Sequence, residues 1–117
     1  MVALLLIPLA LAGRVERFTE QAAKGERAEV IEAIDKLEKA GSLGDDAAAL
    51  LALRDRLALD TALATESIAA LTTYRQTYPK STLLNEALEK EWAWAYADAQ
   101  AEASSAAMRH FVETYPN

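Results

Sequence analysis

The chain has 117 residues, 12 Lys and Arg against 18 Asp and Glu, a formal charge of −6 and no cysteine. An acidic balance with no basic run argues against binding phosphate backbones or anionic lipid, which takes clustered Lys and Arg. The missing thiols exclude disulfides, thiolate zinc sites, iron–sulfur clusters and a cysteine nucleophile in this chain. Alanine (26) and leucine (17) far outnumber valine plus isoleucine (8), so the expected fold class is all-α.

Met1 to Ala12, MVALLLIPLALA, is an uncharged apolar run followed at once by Gly13-Arg14-Val15-Glu16-Arg17. It is shorter than the roughly 20 apolar residues that span a bilayer. Two main readings stay open. Its ending in Ala10-x-Ala12 suits a secretory signal peptide, although no basic residue precedes the run; alternatively it is the buried first helix, with Pro8 tolerated in its first turns. A membrane-associated stub is the third. Residues 13–117 are expected to form a single α-helical repeat domain.

The pattern from Glu26 to Ala40 predicts a helix with Val30, Ile31, Ile34 and Leu37 on one face and Glu32–Lys36 and Asp35–Lys39 pairs on the other. Gly41 stops it, and Ser42 to Asp46 is turn chemistry. From Ala47 an apolar stripe of Leu50, Leu53, Leu57, Ala64, Ile68 and Leu71 runs towards Tyr78-Pro79; it is either one long helix or, the preferred reading, two, with Asp60, Thr61 or Thr65 capping the second near 61–66. Beyond Pro79, Ser81 or Thr82 would cap a helix carrying Leu84, Leu88, Trp92 and Tyr96 on one face, with Trp92 in the core. Ser104 marks the start of a last helix presenting Met108, Phe111, Val112 and Tyr115.

Self-similarity is the strongest signal. Ser67 to Lys80 (SIAALTTYRQTYPK) and Ser104 to Asn117 (SSAAMRHFVETYPN) lie 37 residues apart and share six of fourteen residues, with Leu71/Met108 and Tyr74/Phe111 as conservative exchanges. The same step back places Val30, Ile31, Ala33, Ile34 and Leu37 under the first, with Gly41-Ser42 where Tyr-Pro would stand. About three helical hairpins are expected, tandem and antiparallel. Tyr74, Tyr78 and Pro79 in one, and Phe111, Tyr115 and Pro116 in the next, are their structural marks. Proline cannot continue a helix and pushes the residue before it out of the helical region.

The unit Tyr74-x-x-x-Tyr78-Pro79-x-Ser81-x-x-x-x-x-Ala87 resembles the tetratricopeptide-type repeats of bacterial envelope proteins, among them the outer-membrane-assembly lipoprotein and TolA-binding protein families. It is less closely similar to the helical ring of the soluble lytic transglycosylases, whose catalytic domain has no counterpart here. The resemblance covers residues 61–117 by motif and the first half only by period; no Leu-Gly pair follows Trp92. It implies a tetratricopeptide-like α-solenoid and a non-catalytic protein-interaction scaffold of the cell envelope or periplasm. The alternatives are an accessory domain of peptidoglycan-cleaving machinery and a cytoplasmic helical bundle.

No glycine-rich phosphate loop, Gly-x-Ser-x-Gly or His-Glu-x-x-His occurs, and neither enzymatic activity nor a cofactor or metal is expected. His110, the lone histidine, reads as a solvated helix-edge residue. Asp55 between Arg54 and Arg56, and Glu86, Glu89 and Glu91 around Lys90, read as surface charge. Trp92 and Trp94 stand about 200° apart around a helix and cannot share a face. Trp94 then either packs under a neighbouring hairpin or lines a groove, and with Tyr96 it is the candidate for protein contact. The expected partner is a protein or peptide, or a second copy through the unfinished last unit; nucleic acid is not expected, and membrane only through the N-terminal segment.

Overall fold

The structure, a computed structural model, describes residues 13–116; the Met1 to Ala12 segment, with its export and first-helix readings, lies outside the described residues, as does Asn117. Among the described residues there are six α-helices, one 3-10 turn and no strand. They are α1 (Arg14–Ala23), α2 (Arg27–Lys39), α3 (Ala47–Ala64), α4 (Ile68–Thr77), α5 (Leu84–Glu102) and α6 (Ser105–Thr114), with the 3-10 turn Gly44–Asp46 leading into α3. The expected all-α class is observed. No helix among them is long and apolar enough to cross a membrane.

The contacts divide the chain into two compact units, one through Ala58 and one from Leu59 onward. In the first, α1 packs on α2. Val30, Ile34 and Leu50 are fully buried, and Val15, Phe18, Ala22, Leu43, Leu51, Leu53 and Leu57 pack around them. α2 ends where Gly41 takes a left-handed φ of +69°. There the Gly41 N–H donates to Glu38 O and the Ser42 N–H to Leu37 O, at 3.1 and 2.9 Å. This reciprocal pair satisfies two of the carbonyls that a helix end leaves open, and the backbone angle it needs favours a residue without Cβ. Arg14 ties α1 to the loop that follows, donating to the carbonyls of Ser42 (3.1 Å) and Leu43 and to Asp46 Oδ1 (2.8 Å).

In the second unit, α4 packs on α5 and α5 on α6. Its interior is Leu59, Ala62, Leu71, Tyr74, Ala87, Ala99 and Phe111, each at most 7% exposed. The stripe after Ala47 does divide into two helices, but the cap is Ser67, not Asp60, Thr61 or Thr65. Ser67 Oγ accepts the Ala70 N–H at 3.3 Å, and Ser104 Oγ accepts the Ala107 N–H at 3.0 Å, as expected for the last helix.

Three packing expectations are corrected. Leu83, not Ser81 or Thr82, is the N-cap residue of α5. Ser81 is instead buried just ahead of it, where its Oγ accepts the Leu83 N–H (3.0 Å) and shares a 2.6 Å hydrogen bond with Tyr74 Oη. Leu88 and Trp92, expected inside, are about 40% exposed, while Ala87, Glu91 and Ala99 form the buried line of α5. Leu84, on the same row, is half-buried, and Trp92 meets α6 only along one side, against Phe111. Finally, Arg54, Asp55 and Glu91 are buried rather than surface charge.

Candidate functional site

Two buried charge clusters organise the chain. In the first unit Arg54, on α3, is 7% exposed and binds three carboxylates: Glu38 Oε1 at 2.7 Å, Asp35 Oδ1 at 2.9 Å and Asp55 Oδ1 at 2.9 Å. Burial opposes the charge on Arg54, but hydrogen bonds to Glu38, Asp55 and Asp35 outweigh it and raise its pKa further. Asp35 thus faces Arg54, and the Asp35–Lys39 pair expected along α2 is not what occupies this carboxylate.

In the second unit Glu91, on α5, is 3% exposed. It accepts from Arg75 Nε at 2.8 Å and Nη2 at 3.0 Å, from Thr72 Oγ1 at 3.1 Å and from Tyr115 Oη at 2.6 Å. Burial alone would raise the carboxyl's pKa; the donors from Arg75, Tyr115 and Thr72 more than reverse this and hold it below its ordinary value. Burial and the bond to Glu91 push the Tyr115 hydroxyl up to about 12. With four donors on two oxygens, Glu91 joins α4, α5 and the residue that ends α6.

The two clusters share one register. Adding 37 to Asp35, Glu38 and Arg54 yields Thr72, Arg75 and Glu91, so the two ion pairs have the same sequence separation of 16 and opposite polarity. Other features follow the same step. Buried Ile34 and Leu50 match buried Leu71 and Ala87, and Ala62 matches Ala99. The left-handed residues Glu66 (φ 53°) and Ala103 (φ 55°) match, as do the caps Ser67 and Ser104 and the starts of α3 and α5. The ring pairs Tyr74–Tyr78 and Phe111–Tyr115 lie at the same 5.4 Å separation. The α1–α2 turn departs from this step: its left-handed Gly25 sits one helical turn earlier than Glu66 would place it.

An aromatic surface lies on the far flank of α5. Trp92 stacks on Tyr96 at 5.3 Å and meets the edge of Phe111 at 5.4 Å. Tyr115 closes the row against Phe111, and Trp92, Leu88, Tyr115 and Pro116 line an open cleft of about 710 Å3. Leu88, Trp92 and Val112 are the large apolar side chains exposed among the described residues, and all three belong to α5 and α6.

The two residues expected to make protein contacts are not brought together. Tyr96 is half-buried in the aromatic row and accepts from Gln100 Nε2 at 3.1 Å; Trp94 is half-buried on another flank, beside Glu66, Ile68, Ala97 and Asp98. Tyr74 and Phe111 are interior, Tyr78 and Tyr115 half-buried, and Pro79 and Pro116 exposed. His110 is exposed. Missed from the sequence were Arg54, Arg75 and Glu91, whose only advance signal was their charge reversal at a common step of 37. Among the described residues no cluster of three His, Asp or Glu is placed to hold a metal ion. Comparison with protein-family models, curated proteins and solved structures gives no match.

Proposed function

We propose that this chain is a non-catalytic protein-interaction module built from tandem helical hairpins of the tetratricopeptide type, serving in the bacterial cell envelope. One observation carries the interaction role: the exposed large apolar side chains Leu88, Trp92 and Val112 are concentrated on α5 and α6 instead of being scattered over the surface. Scattered apolar residues need no explanation, whereas Leu88 and Trp92, four residues apart on α5, line one open cleft, which has the character of a binding surface. The hairpin reading draws on the recurrence at 37 residues of helix starts, caps, left-handed residues and buried ion pairs. Repeats of this kind offer much surface per residue, which suits a scaffold. The envelope location draws on the Tyr74-x-x-x-Tyr78-Pro79-x-Ser81 resemblance alone.

A photo-crosslinking residue at Leu88 in the source cell tests the reading. Discrete adducts with envelope proteins, lost when Trp92→Ser and Val112→Ser are added, are the expected result. Adducts that survive both changes, or none at all from a folded chain, would remove the support for an interaction surface here.

A further inference from the structure

Trp94 borders an open cleft of about 500 Å3 whose other walls are Glu66, Ile68, Ala97 and Asp98. The indole is half-buried, as is Ile68, whereas Glu66 and Asp98 are exposed. From Ile68 and Asp98 a second cleft, of about 260 Å3, runs on to Glu102. Trp94, Asp98 and Glu102 follow at four-residue steps and so form one row along α5, about 6 Å from each to the next. The walls of the Trp94 cleft come from the α3–α4 turn, the start of α4 and the middle of α5, all well inside the chain.

The repeat does not ask for these side chains. A step of 37 back, α3 carries Leu57, Thr61 and Thr65 in the places of Trp94, Asp98 and Glu102, and Leu57 packs on the Val30, Ile34 and Leu50 core. Nor does the turn ask for Glu66. Ala103 takes the same left-handed conformation at the matching turn without a charge, and the φ of 53° at Glu66 would suit a residue without Cβ. Glu66, Asp98 and Glu102 make no ion pair and no side-chain hydrogen bond among the described residues. No described Lys or Arg lines either cleft, and His110 is the one basic side chain beside the second. The row therefore offers an aromatic face and three carboxylates that nothing else in this unit answers.

We propose that it binds an extended, arginine-bearing segment of a partner protein, with one guanidinium stacked on the Trp94 indole between Glu66 and Asp98 and a second, two residues on, at Glu102. Two residues of extended chain advance about 6.6 Å, close to the about 6 Å of four helical residues, so an Arg-x-Arg segment keeps step with the row. Arginine fits better than lysine. Its guanidinium is planar and weakly hydrated, and stacks on an indole while its edge bonds a carboxylate, whereas an ammonium is a hydrated point charge. The site lies on a different flank of α5 from the Leu88 cleft and stands without it.

The test uses the whole chain carrying Trp92→Phe, which leaves Trp94 as its sole tryptophan, titrated with acetyl-Gly-Arg-Ala-Arg-Gly-amide and with the Lys-Ala-Lys counterpart at about 0.15 M salt. The Arg peptide is expected to change the Trp94 emission saturably and to bind about tenfold more tightly than the Lys peptide. Asp98→Asn should cost about tenfold, and Trp94→Leu, which installs the residue α3 carries at the matching place, about as much when read by calorimetry. Glu66→Gly should raise the thermal midpoint and still weaken binding, a combination that a merely structural role would not give. Equal binding of the two peptides, or a loss with the exposed Glu113→Gln as large as with Asp98→Asn, would reduce the effect to attraction by net acidic charge and overturn the proposal. So would a Trp94 emission indifferent to the Arg peptide, or a Glu66→Gly chain that is stabilised with its binding unchanged.

Discussion

The Arg54 and Glu91 clusters hold the same place in two parts of one chain and reach it by opposite routes. In the first unit one buried cation answers three carboxylates; in the second one buried anion answers a guanidinium and two hydroxyls. A buried ion pair adds little net stability over apolar packing, because desolvation offsets the attraction. Its leverage lies in what it forbids. Were α2 to meet α5, Glu38 would stand against Glu91, and α4 against α3 would oppose Arg75 to Arg54. The reversal thus makes two similar alanine-rich helix pairs mutually exclusive, which apolar side chains of similar size cannot do.

Breaking the first cluster is expected to cost most. Arg54→Met leaves the 6%-exposed Asp55 and two further carboxylates without their cation, and a loss of about 3–5 kcal/mol in urea unfolding is expected. Arg75→Met strands Glu91 but starts from a guanidinium side chain that is 30% exposed, so the loss should be smaller, about 2–3 kcal/mol. Adding Glu91→Arg to Arg75→Glu should recover a measurable part of the single-variant losses in a double-mutant cycle; strict additivity would deny the pairing any energetic weight.

The comparison sharpens with pH. Because the Glu91 carboxyl is depressed in the folded chain, the unfolded chain binds more protons in mild acid. Its contribution is complete above the unfolded pKa and fades as pH falls through the lower folded value. Glu91→Gln should therefore flatten the fall of stability on the acid side. At the other extreme Tyr115, raised to about 12, contributes fully below about 10 and loses that contribution between 10 and 12, a loss that Tyr115→Phe removes at a cost of about 1 kcal/mol at neutral pH. The smallest effects are at the matching turns. Ala103→Gly should stabilise by about 1 kcal/mol, since the left-handed φ of 55° suits a residue without Cβ.

The Ser104 cap and the stops at Gly41 and Tyr78-Pro79 were readable because they are local, whereas the Ser67 and Leu83 caps were not anticipated. Ser104 declares a cap by its own chemistry and by that of the three residues after it, and Tyr78-Pro79 ends α4 whatever lies beyond. The α5 faces were not readable. A four-residue row of Leu84, Leu88, Trp92 and Tyr96 looks like a core stripe, and Glu91 beside Lys90 looks like solvated charge. Nothing within α5 says otherwise, since the groups that make Glu91 tolerable inside stand 16, 19 and 24 residues away. The candidate residue Trp94 shares this difficulty, its surroundings being drawn from α3–α4 as well as α5.

By itself the amino-acid order settled the all-helical class, most of the helix ends and the step of 37, because propensity, capping and proline geometry act within a few residues. Tertiary structure alone decided which side of α5 is interior and which charges are buried. A carboxylate enters the interior only where separately folded elements surround it with donors, and how far Trp92 is covered is set by what packs against α5 from outside it.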